Sequence, residues 1–449
     1  MIPRRARPIV GFVSALAFVA ACGSPAPPPS ASPPEGTAPA DQATQPAPPE
    51  LPQVSLVIAN ATVVTVDADN RVIAPGSIAI EGNRIVAVDT ADAIAARYAS
   101  HEIIDMKGQI VLPGLINLHT HAPMVLYRGL ADDLALMDWL EKYIFPAEAK
   151  TVSPDFVRVG TRLAALEMIR SGTTMFVDMY YFEEEVAAAV KEAGIRGVLG
   201  QTIIQFPVPD APTPAAGLER TEAFIKAFAN DDLVVPSVAP HSTRSTPTRS
   251  GPRARLRSGT ASPADPPRRD AGRGAHRAGA LRAPAGRVPR LDQVLGAGHR
   301  GGSRRLGEPA GDPPAHGARG GRFHNPESNM KLASGTAPVP AYLEAGTRLG
   351  LGTDGAASNN DLDMFEAMRE AALLHKLIAR DPTVVSAREA MAMATIGGAR
   401  ALGMDDRLGS IEPGSSRTSS PSAPIGPARS RSTTRSRTWC TSRTATTCR

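Results

Sequence analysis

The chain has 449 residues, enough for one large domain and a smaller companion. Its formal charge of +5 is unevenly placed: residues 243–322 hold 17 Arg against five acids, and 415–449 hold seven Arg and no acid, so the rest of the chain stands at −14. The foldable part is therefore acidic, which excludes nucleic acid as its partner, and Cys22, Cys440 and Cys448 are too few and too peripheral for a disulfide framework.

The N-terminus reads as an export signal. Arg4, Arg5 and Arg7 precede an apolar run from Ile9 to Ala21, too short to stay as a spanning helix. Val19-Ala20-Ala21-Cys22 resembles a bacterial lipobox, so residues 1–22 are read as a lipoprotein signal with Cys22 as the lipidated residue. Residues 23–53, rich in Pro, Ala and Ser, read as a solvated linker. Together these predict an exported protein on the periplasmic side, touching the membrane only through its lipid anchor.

Residues 54–112 read as a small β domain. Leu56–Ile58, Thr62–Val66, Ser77–Ile80 and Arg84–Val88 are short β-branched runs, parted by turn residues at 67–70 and 81–83. Ile110–Leu118 then forms a continuous apolar stretch, predicted as a strand buried in a parallel sheet. Beyond it helices and strands alternate: helix at 156–171, strand at 173–178, helix at 183–193 closed by Gly194, and strands at 197–200 and 233–240. After residue 323 come a strand at 349–352 and helices at 363–380 and 387–402. The alternation predicts an α/β fold, a (β/α)₈ TIM-type barrel over 113–404 with a small flanking β-sandwich, and 405–449 as a remnant of that small domain.

Two segments interrupt the pattern. Residues 243–322 contain no Lys, Ile, Met, Asn, Phe, Tyr or Trp and show neither a strand nor a helix period. The composition suits translation in a shifted frame. Codons for Asp265 to Asp270, read one base later, can spell I-H-L-A-E-T, and those for Gly302 to Leu306 can spell A-H-A-V. From about residue 415 the tail behaves the same way with a two-base shift: Ser416 to Ser420 can yield A-D-L-V. A chain lacking the central barrel strands is expected to fold poorly and to be inactive as written, since its sheet cannot close.

The chemistry-bearing residues flank the interruption. His119 and His121, two apart on a strand, project together from its C-terminal end, the face on which barrel enzymes work. Paired imidazoles suit a divalent cation, Zn²⁺ first and Fe²⁺ second. Asp354 ends another strand, where a carboxylate can bind the metal and take a proton from its water; the competing role is a helix cap. His241, after the strand ending Ala239-Pro240, is read as a substrate or transition-state contact, with a ligand role left open. His324 stands between a structural and a functional role. His101 and His375 are read as surface residues, and His276, His299 and His316 as products of the shifted frame.

These residues resemble the amidohydrolase superfamily, in particular its 5-methylthioadenosine/S-adenosylhomocysteine deaminase and chlorohydrolase branch. The resemblance rests on P-G-L-I-N-L-H-T-H, R-G-L-A-D-D-L, W-L-E-K-Y-I-F-P-A-E, H-N-P-E-S-N-M-K-L-A-S-G and G-T-D-G-A-A-S-N-N-D-L-D-M, and covers roughly 54–242 and 323–414. It implies His119, His121 and Asp354 as metal ligands, with Asp354 also catalytic, and His241 on the leaving-amine side. It further implies Glu148 as the acceptor of ribose hydroxyls and Trp139 as pocket wall. The implied reaction is hydrolytic deamination of an aminated purine-like ring, with ammonia leaving. The family's His-x-x-Glu and following His have no in-frame counterpart. Alternatives are hydrolysis of another cyclic C–N or C–halogen substrate, or a lipid-anchored remnant with no activity. The partner is a small molecule, and a homo-oligomer is possible on this reading.

Overall fold

The computed structural model describes residues 50–241 and 321–415, together with the backbone of two short strands in the tail. The signal and Cys22 assignments, the linker as far as residue 49, the segment 243–320 and most of the tail lie outside the described residues, while Gln53, the last residue of the predicted linker, already pairs as a strand with Ala99. Among the described residues no helix is long and apolar enough to cross a membrane.

Five N-terminal strands and two from the tail build a seven-stranded sheet. β1 (Leu56–Val64), β2 (Val72–Glu81) and β3 (Arg84–Thr90) form an antiparallel meander, while β4 (Ile103–Asp105) and β5 (Ile110–Leu112) lie parallel to β1. Alternation along β1 sends Leu56 and Ile58 to one cluster with Ile78 and Ile80, and Val57 to the opposite face with Ala79 and Ala87. In the tail, Trp439–Thr441 and Thr446–Cys448 pair with each other, and the second pairs antiparallel with β5.

The predicted apolar strand at 110–118 is two strands. Residues 110–112 belong to the small sheet, and β6 (Leu115–Thr120) begins a different one. Pro113, with no N–H to give a ladder, marks the break. β6, β7 (Thr173–Tyr180), β8 (Arg196–Ile203) and β9 (Val234–Pro240) pair in parallel in the order β9-β8-β7-β6. A second parallel pair joins β10 (Arg322–His324) to β11 (Leu349–Leu351). β11 lies against β6, where the Asp354 N–H donates to the His119 carbonyl at 2.9 Å. Six parallel strands are therefore described, and β9 and β10 bracket the interrupted segment.

Helices cover the outer face. α1 (Phe145–Thr151) leads into α2 (Pro154–Arg170), whose first turn is set by Pro154 and by Ser153 Oγ accepting from the Phe156 N–H. Val157, Ala164, Ala165 and Met168 recur at helical spacing and enter a core with Phe176 and Leu199. Each large, fully buried side chain there, such as Phe176, contributes about 1.5–3 kcal/mol of burial. α3 (Glu183–Ala193) ends at Gly194, whose φ of 70° closes the helix. α4 (Pro214–Ala227) packs on β8. After β10 come α5 (Pro326–Lys331), the single turn α6 (Ala356–Asn359) and α7 (Met364–Ala379). The helix predicted at 387–402 is broken into α8 (Ala387–Met393) and α9 (Ile396–Leu402), because Thr395 leaves the helical region at φ −132°, ψ −100°.

Candidate metal centre

β6 carries His119 and His121 to its C-terminal end, and the turn after β11 brings in Asp354. The Nε2 atoms of His119 and His121 lie 3.5 and 3.3 Å from Asp354 Oδ1. The imidazole centroids are 4.9 Å apart, at 79° to each other. These are the residues, among those described, whose ligand atoms cluster within 4.8 Å for a metal ion. His121 Nδ1 sits 2.7 Å from the Met179 carbonyl, which places the proton there and leaves Nε2 as the lone-pair donor. His119 stacks on Phe323 at 4.8 Å.

Asp354 is held firmly. Ser328 Oγ donates to Oδ2 at 2.7 Å and the Gly355 N–H to Oδ1 at 2.8 Å. Its φ of +66° is left-handed, a conformation Asp tolerates better than most residues, at a cost on the order of 1 kcal/mol. Burial pushes its carboxyl up, but the charge of the His119 and His121 rings when protonated, the Ser328 hydroxyl and the Gly355 N–H outweigh that and hold it at about 2. It is thus a standing carboxylate.

The donor set fits a cation. Bonds of about 2.0–2.1 Å in tetrahedral geometry place ligand atoms about 3.4 Å apart, which matches 3.3 and 3.5 Å. Two imidazoles and a carboxylate are a ligand set for zinc in hydrolytic sites, with a further position for water.

The other predicted residues gather unequally around this point. The His241 ring lies 6.2 Å from that of His121. Glu148, on α1, is buried and accepts from the Tyr180 hydroxyl at 2.8 Å; the Tyr180 ring is in turn 6.4 Å from His121. Burial pushes Glu148 up to about 7. Trp139 is buried in the core around Tyr127, and its indole N–H donates to the Leu130 carbonyl at 3.3 Å. His375 is not a surface residue. It is buried on α7, with Nε2 3.1 Å from Nε2 of the buried His324, and burial pushes both rings below the ordinary histidine range. An apolar helix face carried it inward, and the partner histidine satisfies it. His101 is exposed, as read from the sequence.

Sequence reasoning missed the residues that support the ligands. Asn117 Nδ2 donates to Thr353 Oγ1 at 2.8 Å, and its Oδ1 accepts from the Thr353 and His119 N–H groups at 3.1 and 3.3 Å. Asp178 Oδ1 accepts from the Thr120 hydroxyl at 2.5 Å and the Ala122 N–H at 2.7 Å, on either side of His121. Burial pushes Asp178 up to about 6, and burial with the Asp178 charge raises Glu183 well above its ordinary range. The one available signal was position: Asn117 shares a strand face with His119, and Asp178 stands near the C-terminal end of its strand as the histidines do in theirs.

Two imidazoles and an anchored carboxylate at the C-terminal edge of parallel strands define a metal-dependent hydrolase centre. The amidohydrolase family profile matches residues 110–248 and 307–416. A 5-methylthioadenosine/S-adenosylhomocysteine deaminase of Syntrophobacter fumaroxidans is 44% identical over 379 residues, covering 81% of this chain and 83% of that one. A 5'-deoxyadenosine deaminase of Methanosarcina mazei is 39% identical over 78% of this chain and 80% of its own length. The crystal structure of an adenosine deaminase from Xanthomonas campestris with bound zinc is similar at TM-score 0.65 and 30% identity, covering 82% of this chain and 84% of that one. The chain belongs to the amidohydrolase family, metal-dependent hydrolases of C–N bonds. An atrazine chlorohydrolase from Arthrobacter aurescens complexed with zinc, at 21% identity and TM-score 0.59 over 80% of this chain and 85% of that one, shares the fold. These likenesses carry the α/β, barrel-type fold class read from the sequence.

Proposed function

We propose that this site serves hydrolytic deamination of an adenine-type ring carried on a ribose-like group, with zinc held by His119, His121 and Asp354. The observation that carries the reading is the pair of imidazole nitrogens at 3.5 and 3.3 Å from the Asp354 carboxylate, the three ligand atoms lying within 4.8 Å of one another. The names of the deaminase relatives and of the zinc-bound adenosine deaminase support it. A cation held there supplies the Lewis acidity that makes water a nucleophile near neutral pH.

The chain's own residues do the rest. Asp354, a carboxylate fixed by Ser328 and Gly355, accepts a proton from the attacking water. His241, across the site from His121, faces the departing amine. Glu148 accepts hydroxyl hydrogen bonds from the sugar, with Tyr180 holding one of its oxygens.

The reading includes the two interruptions. Segments 243–322 and 415–449 are taken as out-of-frame translation, supported by their composition and by the family profile leaving 249–306 unmatched. The polypeptide as written then lacks the family's central His-x-x-Glu and is inactive. The arginines before Ile9–Ala21 and the following Cys22 support export and lipid anchoring on the periplasmic side.

Ammonia release settles the activity. The chain as written and the product of a frame-restored gene are each given 5'-methylthioadenosine, S-adenosylhomocysteine, 5'-deoxyadenosine and a chlorotriazine. Ammonia from the adenosine derivatives, from the restored protein alone, is the expected result. Chloride release without ammonia overturns deamination, and genomic codons that do not spell I-H-L-A-E-T and A-H-A-V overturn the frame reading.

A further inference from the structure

The strands that carry the metal ligands meet without a backbone ladder. β6 ends one sheet and β11 ends another. At their contact Gly350 of β11 and Gly352 just after it remove side chains from the gap. A Cβ on Gly352 would lie 2.8 Å from the His119 nitrogen and 3.0 Å from its Cβ, and one on Gly350 2.4 Å from Leu118 Cδ1. Across this contact the backbone of the described residues contributes the bond from the Asp354 N–H to the His119 carbonyl at 2.9 Å, and forms no regular ladder.

Asn117 bridges this gap. Its carboxamide is fully buried and makes three hydrogen bonds, one to the His119 backbone and two to Thr353, the residue before Asp354. Thr353 extends the bridge, donating from Oγ1 to the Asp354 carbonyl at 3.0 Å, while Asn359 Nδ2 donates to the Thr353 carbonyl at 2.9 Å. We propose that Asn117 is a positioning residue of the metal centre: its carboxamide, spanning β6 and β11, holds the imidazole pair and the Asp354 carboxylate at the spacing that grips a cation. This rests on the reading of His119, His121 and Asp354 as ligands. A buried Asn that only stabilises the fold would leave cation affinity untouched once the protein is folded. A spacer between ligands changes it directly.

The test reads zinc affinity of the full chain, as written and with the frame restored, by competition against a chromogenic chelator. Asn117→Ala and Thr353→Val are each expected to weaken zinc binding about 10–100-fold. The double variant loses no more than Asn117→Ala alone, because that change already removes both bonds to Thr353. Thr353→Ser keeps the hydroxyl and binds as the parent does. Parent-like affinity in Asn117→Ala and Thr353→Val, or losses that multiply in the double variant, overturn the proposal. His121→Ala and Asp354→Ala separate the two levels of the reading: if they lose zinc while the bridge variants keep it, only the bridge is wrong, and if they keep it, the ligand assignment falls and the bridge with it. Should Asn117→Ala fail to fold, Thr353→Val against Thr353→Ser decides. Loss in the first and retention in the second support the bridge, and equal affinities overturn it.

Discussion

Replacing Glu148 by Gln is expected to stabilise the protein above neutral pH while weakening its hold on sugar hydroxyls. Glu148 is 6% exposed, and its carboxyl, pushed from 4.5 to about 7 by burial, binds its proton more tightly in the native state than in the unfolded chain. Between those two values the native state carries more protons, so its stability falls as pH rises, by about 1.4 kcal/mol per unit, and the contribution is gone above about pH 7. Over the window this amounts to about 3 kcal/mol. Glu148→Gln keeps an oxygen for the Tyr180 hydroxyl and cannot ionise. Variant and parent should therefore match near pH 4.5 and diverge to about 3 kcal/mol in the variant's favour at pH 8. Urea denaturation of parent and variant with the frame restored, followed at several pH values, measures this, and the difference between the two proteins cancels the other buried acids. Binding of inosine, followed by calorimetry, should weaken in the variant by about 1–3 kcal/mol as a charge-assisted acceptor is lost. A stability difference that stays flat from pH 5 to pH 8 would refute the assignment of Glu148 as a destabilising buried acid.

Three other outcomes follow from the site. Asp178→Ala leaves the Thr120 hydroxyl and the Ala122 N–H without their acceptor and should cost about 2–4 kcal/mol in urea denaturation, with Asp178→Asn milder. Gly352→Ala puts a methyl 2.5 Å from Asn325 Oδ1 and should destabilise by about 1–3 kcal/mol and reduce the zinc content found by elemental analysis. Zinc at a hundred times its dissociation constant should stabilise the folded chain by about 2.7 kcal/mol, reversed by chelation and absent in Asp354→Ala.

The cluster of His119, His121 and Asp354 was legible because its members end or follow strands whose apolar content announces them: Leu115-Ile116 before His119, and Leu349 and Leu351 before Asp354. Strand and helix order from 154 to 240 was legible for the same reason. The division of 110–118 was not, since periodicity sees apolar residues and not the sheet to which each belongs. His375 was misread because one histidine on an amphipathic helix carries no sign of a partner 51 positions away. Asn117 and Thr353 met the same obstacle at greater range, since their bond links positions 236 apart. Side-chain bonds of that reach leave no local pattern, whereas ligands grouped as His-x-His do.

The contact between β6 and β11 also changes what the bound ion means for the polypeptide as an object. The two stretches that grip it come from opposite sides of the longest interruption, so the ion would act as a rivet as well as a reagent. A protease cut between Arg244 and Arg319 would sever the backbone yet leave both fragments sharing one cation.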